Sequence, residues 1–294
     1  MCIRDSHWAL LTGILPDHLN RYQNFEAYVQ SKETIVAHQH PTDVTILPVD
    51  DPQAKRFAEK TRARIVWFGV FREGEERRGF GLFRVGDRVL LRTPEREGEV
   101  LPWGELAGQG EHTKRNLLAG ALLALEMGAS LDDARSLLRE FRGLENRLEI
   151  IRGKDRTFVN DTAATIPEAV SAALRSFPEH QIVLITGGTD KNLDYQGLAG
   201  ALQHTPNLRA VIFLEGSATD KLLSALEGSP LVQGSPKVRT MPAAVEQAQA
   251  ASRAGDVILL SPGAASFELF RDEFDRGQQF RDAVAEIQEN RRPR

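Results

Sequence analysis

The rhythm of apolar and polar positions changes near residue 145. Ahead of that point the segments are mixed. A short apolar run at 8–14 predicts a buried strand, followed by the polar loop LPDHLNRY. Asn24 is placed to cap a helix over 25–38, with Phe25, Tyr28, Val29, Ile35 and Val36 at helical spacing. Lys32 falls inside that apolar stripe, where it either snorkels to the edge or sits partly desolvated. Residues 44–49, VTILPV, read as a strand that Pro48 confines to an edge or an end. Residues 63–70 read as a second buried strand, and 79–92 as a hairpin turning at Gly86-Asp87. Helices are predicted over 113–127, closed by Gly128, and over 130–141. Gly143, Leu144 and Glu145 then read as a linker.

Past the linker the pattern becomes regular βα alternation. Strands are predicted at 158–159, 182–186, 210–214, 237–240 and 257–260. Helices fall between them at 167–176, 196–203, 218–226 and 241–251, with a last one from 267–270 onward. Such alternation builds a doubly wound parallel sheet, whose ligands bind at the carboxyl ends of the strands. The loops at those ends are 160–165, 187–194, 215–218 and 261–266, and GGTDKNLD and SPGAAS let a ligand approach the backbone. In the first loop, Thr165 has capping-box spacing to Glu168, ahead of Pro167. Free amides at a helix start suit a carboxylate or phosphate. These residues alone suit an ordinary capped loop better, since well-capped βα loops are common and most bind nothing.

Length and composition narrow the class. At ~150 residues per domain, 294 residues suggest two domains, divided as 7–144 and 145–294. A net charge of −4 gives no nucleic-acid footprint. The one cysteine, Cys2, excludes an internal disulfide and fits a reducing compartment. No apolar run approaches the ~18 residues of a membrane span, and MCIRDS lacks a signal-peptide core and reads as foreign to the rest of the chain. There is no GxxxxGK[ST] phosphate loop, no zinc-type His/Cys spacing and no GxSxG elbow.

Five segments, in order, resemble the Mur ligases, the ATP-dependent amide-forming enzymes of peptidoglycan precursor synthesis. They are LPDHLNRYQNFEAYVQSK (15–32), VDDP (49–52), GLENRLE (143–149) with FVNDTAAT (158–165), GGTDKNLDY (187–195) and LSPGAASFELFRDEFDRGQQF (260–280). The last is similar to the D-glutamate-adding pattern within the family. The match starts at about residue 9 and looks like the last two-thirds of such an enzyme. The resemblance thus implies an α/β chain: the rear of a P-loop-type central ATPase domain, then a complete Rossmann-like C-terminal domain. The UDP-binding domain and the phosphate loop would belong to a missing front part.

The resemblance also implies a chemistry. ATP would phosphorylate the alanyl carboxylate of UDP-N-acetylmuramoyl-L-alanine, and the amine of D-glutamate would displace phosphate from the acyl phosphate. Positioning, cations and Mg2+ dominate such a reaction. By resemblance, His18 is a magnesium ligand, and Lys32 is a carbamylated lysine whose added carboxylate helps hold a second magnesium. Carbamylation needs a neutral amine, which an apolar stripe favours. Arg147 would contact ATP phosphates and Asp161 the ribose side. Asp51 would reach the adenine edge or simply end its strand in a turn. His112 and Asn116 resemble a segment that holds the nucleotide or the domain interface. Thr165 and Lys191 would receive the α-carboxylate of D-glutamate. Ser266, at the start of a helix, would form the side-chain carboxylate pocket with Phe267 and Phe274, while Phe270 packs in the core. Departures from the family pattern are Pro48, Asn20, Thr113, Ala163 and Thr189. A cytoplasmic monomer is expected, without ligase activity in the chain as it stands. The alternatives are another Mur-type amide ligase, folylpolyglutamate-synthase-like, or a glutamate- or nucleotide-binding module without catalysis.

Overall fold

A computed structural model of the chain describes residues 6–71 and 79–290. It divides into two compact units. One holds the described residues through Pro16 together with Arg21–Arg142; the other holds Asp17–Asn20 and the described residues from Gly143 onward.

The first unit is built from β1 (Trp8–Leu10), α1 (Phe25–Ala37), β2 (Val44–Pro48), α2 (Ala54–Lys60), β3 (Arg64–Phe71), β4 (Gly81–Val85), β5 (Arg88–Arg92), β6 (Glu97–Pro102), α3 (Glu111–Glu126) and α4 (Leu131–Glu140). Its sheet follows chain order. β1 to β4 pair in parallel, then β4, β5 and β6 pair antiparallel. Strand residues alternate between faces. Val44, Ile46, Val66 and Phe68 pack with α3 and α4 residues such as Leu118, Leu122 and Leu138. Leu47, Ile65 and Trp67 pack with Val29, Val36 and Phe57 of α1 and α2. Helices on both faces explain why these strands read as continuous apolar runs. Pro48 is the last residue of β2, which pairs on both sides, so its missing N–H falls at the strand end. α2 and β6 escape the sequence pattern: α2 is short and buries only Ala54 and Phe57, and the first half of β6 is exposed.

The second unit contains β7 (Glu149–Arg152), β8 (Thr157–Asn160), α5 (Pro167–Leu174), β9 (Ile182–Gly187), α6 (Gln196–His204), β10 (Leu208–Leu214), α7 (Ser217–Ala225), β11 (Lys237–Val238), α8 (Met241–Ala251), β12 (Val257–Leu260) and α9 (Glu273–Asn290). The sheet order is β11-β10-β9-β12-β8-β7. All neighbours are parallel except β7, an antiparallel edge strand without a long apolar run to announce it. Val159, Leu184, Val211 and Leu259 face α5, α6 and α7. Their chain neighbours Phe158, Val183, Ile212 and Ile258 face α8 and α9. This is the doubly wound arrangement, and its parallel strands send the loops after β8, β9, β10 and β12 to one edge.

Two expected helix starts move. Thr165 does not cap α5: the cap is Ile166, without a side-chain hydrogen bond, because Pro167 already fills the first helical position. Ser266 does not open the last helix. Residues 267–270 form turns and α9 starts at Glu273, where Asp272 Oδ1 accepts the amide of Asp275 at 2.7 Å.

Candidate functional site

The carboxyl edge of the second sheet gathers three of the expected residues. Lys191, after β9, is 7% exposed. Its Nζ donates to Thr165 Oγ1 at 3.1 Å, so Thr165, freed from capping, serves the loop cluster instead. The same ammonium pairs with Asp17 Oδ1 at 2.5 Å. Asp17 Oδ1 also accepts the His18 amide at 2.7 Å, and His18 Nε2 stands 3.6 Å from Asp17 Oδ2. His18 adopts a left-handed backbone, φ 55°. Asp17, which sequence reasoning passed over beside His18, is thus the counter-ion of the buried lysine.

Ser266 lies on the loop after β12. That loop is zipped to the Lys191 loop by Thr189 and Ala265, whose amides and carbonyls exchange bonds of 2.9 and 3.0 Å. Ser266 is 3% exposed and its Oγ has no hydrogen-bond partner. A buried hydroxyl without a partner costs free energy and is open to a ligand. Phe267 and Phe274 stand largely in solvent, at 65% and 64% exposure, whereas Phe270 is buried.

One arginine that sequence reasoning missed holds these loops. Arg276 of α9 is fully buried. Its Nε and Nη2 donate to Thr162 Oγ1 and O, both at 2.9 Å, and its Nη1 to Ala264 O at 3.1 Å. It thereby ties the loop after β8 to the loop after β12. Burial pushes its guanidinium down to about 10, against a favourable pull from Glu273. A second network sits below: Asn160 Nδ2 donates to Asn146 Oδ1 at 3.0 Å and Glu149 Oε2 at 2.9 Å, and Arg281 Nη1 reaches the same two oxygens at 3.1 and 2.9 Å. Gly277 is required here, since a Cβ would lie 2.2 Å from Asn146 Oδ1.

Other expected residues stand differently. Asp161 is turned inward. Its Oδ1 accepts the Leu148 amide at 3.2 Å and its Oδ2 the Ser261 hydroxyl at 3.0 Å, and burial raises its carboxyl to about 7. Arg147 is exposed. Lys32 is not in the buried stripe of α1, which consists of Val29, Glu33 and Val36. Lys32 is exposed, with its Nζ 5.4 Å from the Tyr28 ring centroid, so the apolar setting expected to favour a neutral amine is absent. The spacing from Phe25 misled because Phe25 itself stays half-exposed. Asp51 accepts the amides of Ile14 at 2.8 Å and Gln53 at 2.7 Å, a strand-ending turn. Asn116 is exposed and His112 half-buried on α3. Between them in sequence, the unforeseen Arg115 grips Asp50 at 2.6 Å and the Thr12 carbonyl at 2.6 Å, joining the ends of β1 and β2.

The fit to a metal is incomplete. Among the described residues, no three His, Cys, Asp or Glu side chains gather as a metal site. A magnesium on His18 would draw its remaining oxygen ligands from elsewhere.

A family model described as Mur ligase middle domain matches residues 3–124, and one described as Mur ligase, glutamate ligase domain, matches residues 146–264. The chain belongs to the Mur ligase family. Similar relatives include the UDP-N-acetylmuramoylalanine–D-glutamate ligase of Roseiflexus sp., 38% identical over 282 residues, covering 94% of this chain and 60% of the relative. The protein of the same name from Salinibacter ruber is 38% identical over 280 residues, covering 94% and 59%. The chain therefore spans about three-fifths of the length of these Mur ligases. Among solved structures, MurF from Acinetobacter baumannii aligns with a TM-score of 0.68 at 19% identity, covering 95% of this chain and 60% of that one. MurF from Thermotoga maritima, solved in complex with ADP, aligns at 0.66 and 14% identity, covering 97% and 63%. These two show the shared Mur ligase fold.

Proposed function

We propose that this chain supplies the rear of the central domain and the C-terminal domain of a cytoplasmic, ATP- and magnesium-dependent ligase that joins D-glutamate to UDP-N-acetylmuramoyl-L-alanine. The observation that carries the reading is the buried Lys191 ammonium bonded to Thr165, on the same sheet edge as the unpartnered Ser266 hydroxyl. An ammonium and a hydroxyl suit one carboxylate, and a lone buried hydroxyl suits a second. Glutamate carries two. Phe267 and Phe274 would close over its methylenes. Asp17 now neutralises Lys191; the ammonium would exchange that partner for the α-carboxylate of glutamate, leaving Asp17 beside the α-amine.

ATP would supply the activation of the acceptor carboxylate, with exposed Arg147 as a phosphate partner and His18 toward magnesium. The inward-facing Asp161 would act through the Leu148 amide rather than on the nucleotide. Lys32 keeps its role as a metal-side residue only if its carbamate forms on an exposed amine. The other residues of the first unit, Asp51 and Asn116, would line the nucleotide side.

The 294 residues include no phosphate loop, so this chain by itself is expected to release no phosphate with ATP, acceptor and D-glutamate. The same residues preceded by a phosphate-loop-bearing front segment are expected to do so. Activity with L-glutamate or L-lysine in place of D-glutamate would refute the substrate assignment. Inactivity with all three would refute the ligase reading.

A further inference from the structure

Helix α7 carries none of the residues assigned to the ligase site, yet its first turns hold both loops of the proposed glutamate pocket. The loop after β9 docks on it by four contacts. Ala218 N donates to Gly188 O at 2.8 Å, and Gly188 N donates to Thr219 Oγ1 at 3.1 Å. Asp190 N donates to Ser217 Oγ at 3.0 Å, and Lys221 forms an ion pair with the Asp190 carboxylate. The approach is so close that a Cβ on Gly216 would sit 2.3 Å from Gly188 O, and Gly216 adopts φ 147°. The loop after β12 docks on the same turn through Glu268, whose Oε2 accepts Ser217 N at 3.0 Å and whose Oε1 accepts Ser217 Oγ at 2.5 Å. The Glu268 amide in turn donates to Thr189 Oγ1 at 3.0 Å.

Ser217 is therefore shared. Its oxygen accepts from Asp190, the neighbour of Lys191, and its proton goes to Glu268, two residues past Ser266. A hydroxyl has one proton to give, and here its donor and one acceptor position are spent on different loops. Beside the direct zip of Thr189 and Ala265, the two loops are thus linked a second time through one side chain on a third element.

We propose that Ser217, with Glu268, is a positioning pair that, together with the Thr189–Ala265 zip, holds the distance between the two carboxylate-binding loops and so favours a five-carbon over a four-carbon dicarboxylic amino acid. The selectivity half rests on the glutamate reading; the coupling of the loops does not. A site of fixed length loses strength when one methylene is removed from its ligand, by about 10-fold or more.

Two measurements on the 294-residue chain test this. Hydrogen exchange is expected to rise in Ser217→Ala at the amides of 188–193 and of 266–270 together, and to return toward wild type in Ser217→Thr, which keeps a hydroxyl. Glu268→Gln, which keeps an acceptor without the charge, should give an intermediate pattern. Faster exchange confined to α7 would overturn the coupling. Calorimetric titration with D-glutamate and D-aspartate is then expected to show the wild-type preference for D-glutamate falling about 10-fold in Ser217→Ala and recovering in Ser217→Thr. An unchanged preference would overturn the selectivity. Wild type binding neither amino acid would overturn the glutamate reading and the selectivity with it, while the exchange result would still decide the coupling.

Discussion

Arg276 offers the sharpest test of how the pocket loops are held. Replacing it with Met removes three donated bonds and leaves the buried carbonyls of Thr162 and Ala264 without that donor. Each such loss costs ~1–3 kcal/mol, so the two carbonyls together give roughly 2–6 kcal/mol. Against this stands the cost of keeping a charge in the interior. Burial brings the guanidinium down to about 10 from 12.5, which corresponds to roughly 3 kcal/mol of opposition that Met would relieve. The net expectation is a loss of about 1 kcal/mol. Arg276→Lys should fare no better than Met. It keeps the desolvated charge, and a single ammonium cannot reproduce the fork that reaches Thr162 and Ala264 at once. Urea unfolding can be read in two channels. All three tryptophans, Trp8, Trp67 and Trp103, lie in the first unit, so their fluorescence reports that unit, while far-UV circular dichroism reports both. The circular dichroism transition should shift to lower urea with the fluorescence midpoint held. A Lys variant as stable as wild type would refute the reasoning, since it keeps the charge without the fork, and so would a Met variant more stable than wild type by over about 1 kcal/mol.

Asp161 predicts a pH dependence. Its folded value of about 7 lies above the ordinary 3.8, so the native state holds more protons than the unfolded chain between those values, and stability falls as pH rises from about 4 to 7, by on the order of 4 kcal/mol at most. Asp161→Asn should flatten that slope in denaturant titrations; an unchanged slope would exclude Asp161 as its source. Lys191→Met should weaken D-glutamate binding at least ~10-fold in calorimetry, through loss of a charge-assisted contact, and equal affinity would remove Lys191 from the pocket. Gly277→Ala should lower the thermal midpoint, because its Cβ would displace Asn146 Oδ1 from 2.2 Å; a melt matching wild type would mean the Asn146 network repacks freely. Asn24→Ala removes the cap on Ala27 N at 2.9 Å and should cost the first unit ~1 kcal/mol, visible in tryptophan fluorescence.

The chain's periodicities determined most of the architecture. A doubly wound sheet was legible after residue 145 because parallel strands covered on both faces must be apolar throughout, and four such runs recur between amphipathic segments, with the polar edge run KVRT as a fifth strand. The hairpin at Gly86-Asp87 and the cap at Asn24 were legible because turn and cap chemistry is local. The motif segments also led to Lys191, Thr165 and Ser266. What tertiary structure alone decided is which polar groups meet. Spacing placed Lys32 in an apolar stripe, but the sheet lies against the face of Val29, Glu33 and Val36 instead. Asp161 read as a loop carboxylate, and only the approach of Leu148 and Ser261 turned it inward. Asp17 with Lys191, Arg276 with Thr162, and Ser217 with Glu268 are separated by about fifty to more than a hundred residues in sequence. Periodicity reports the environment of one element at a time. A hydrogen bond between loops depends on where the strands beneath them sit in the sheet, and that order is a property of the packed chain.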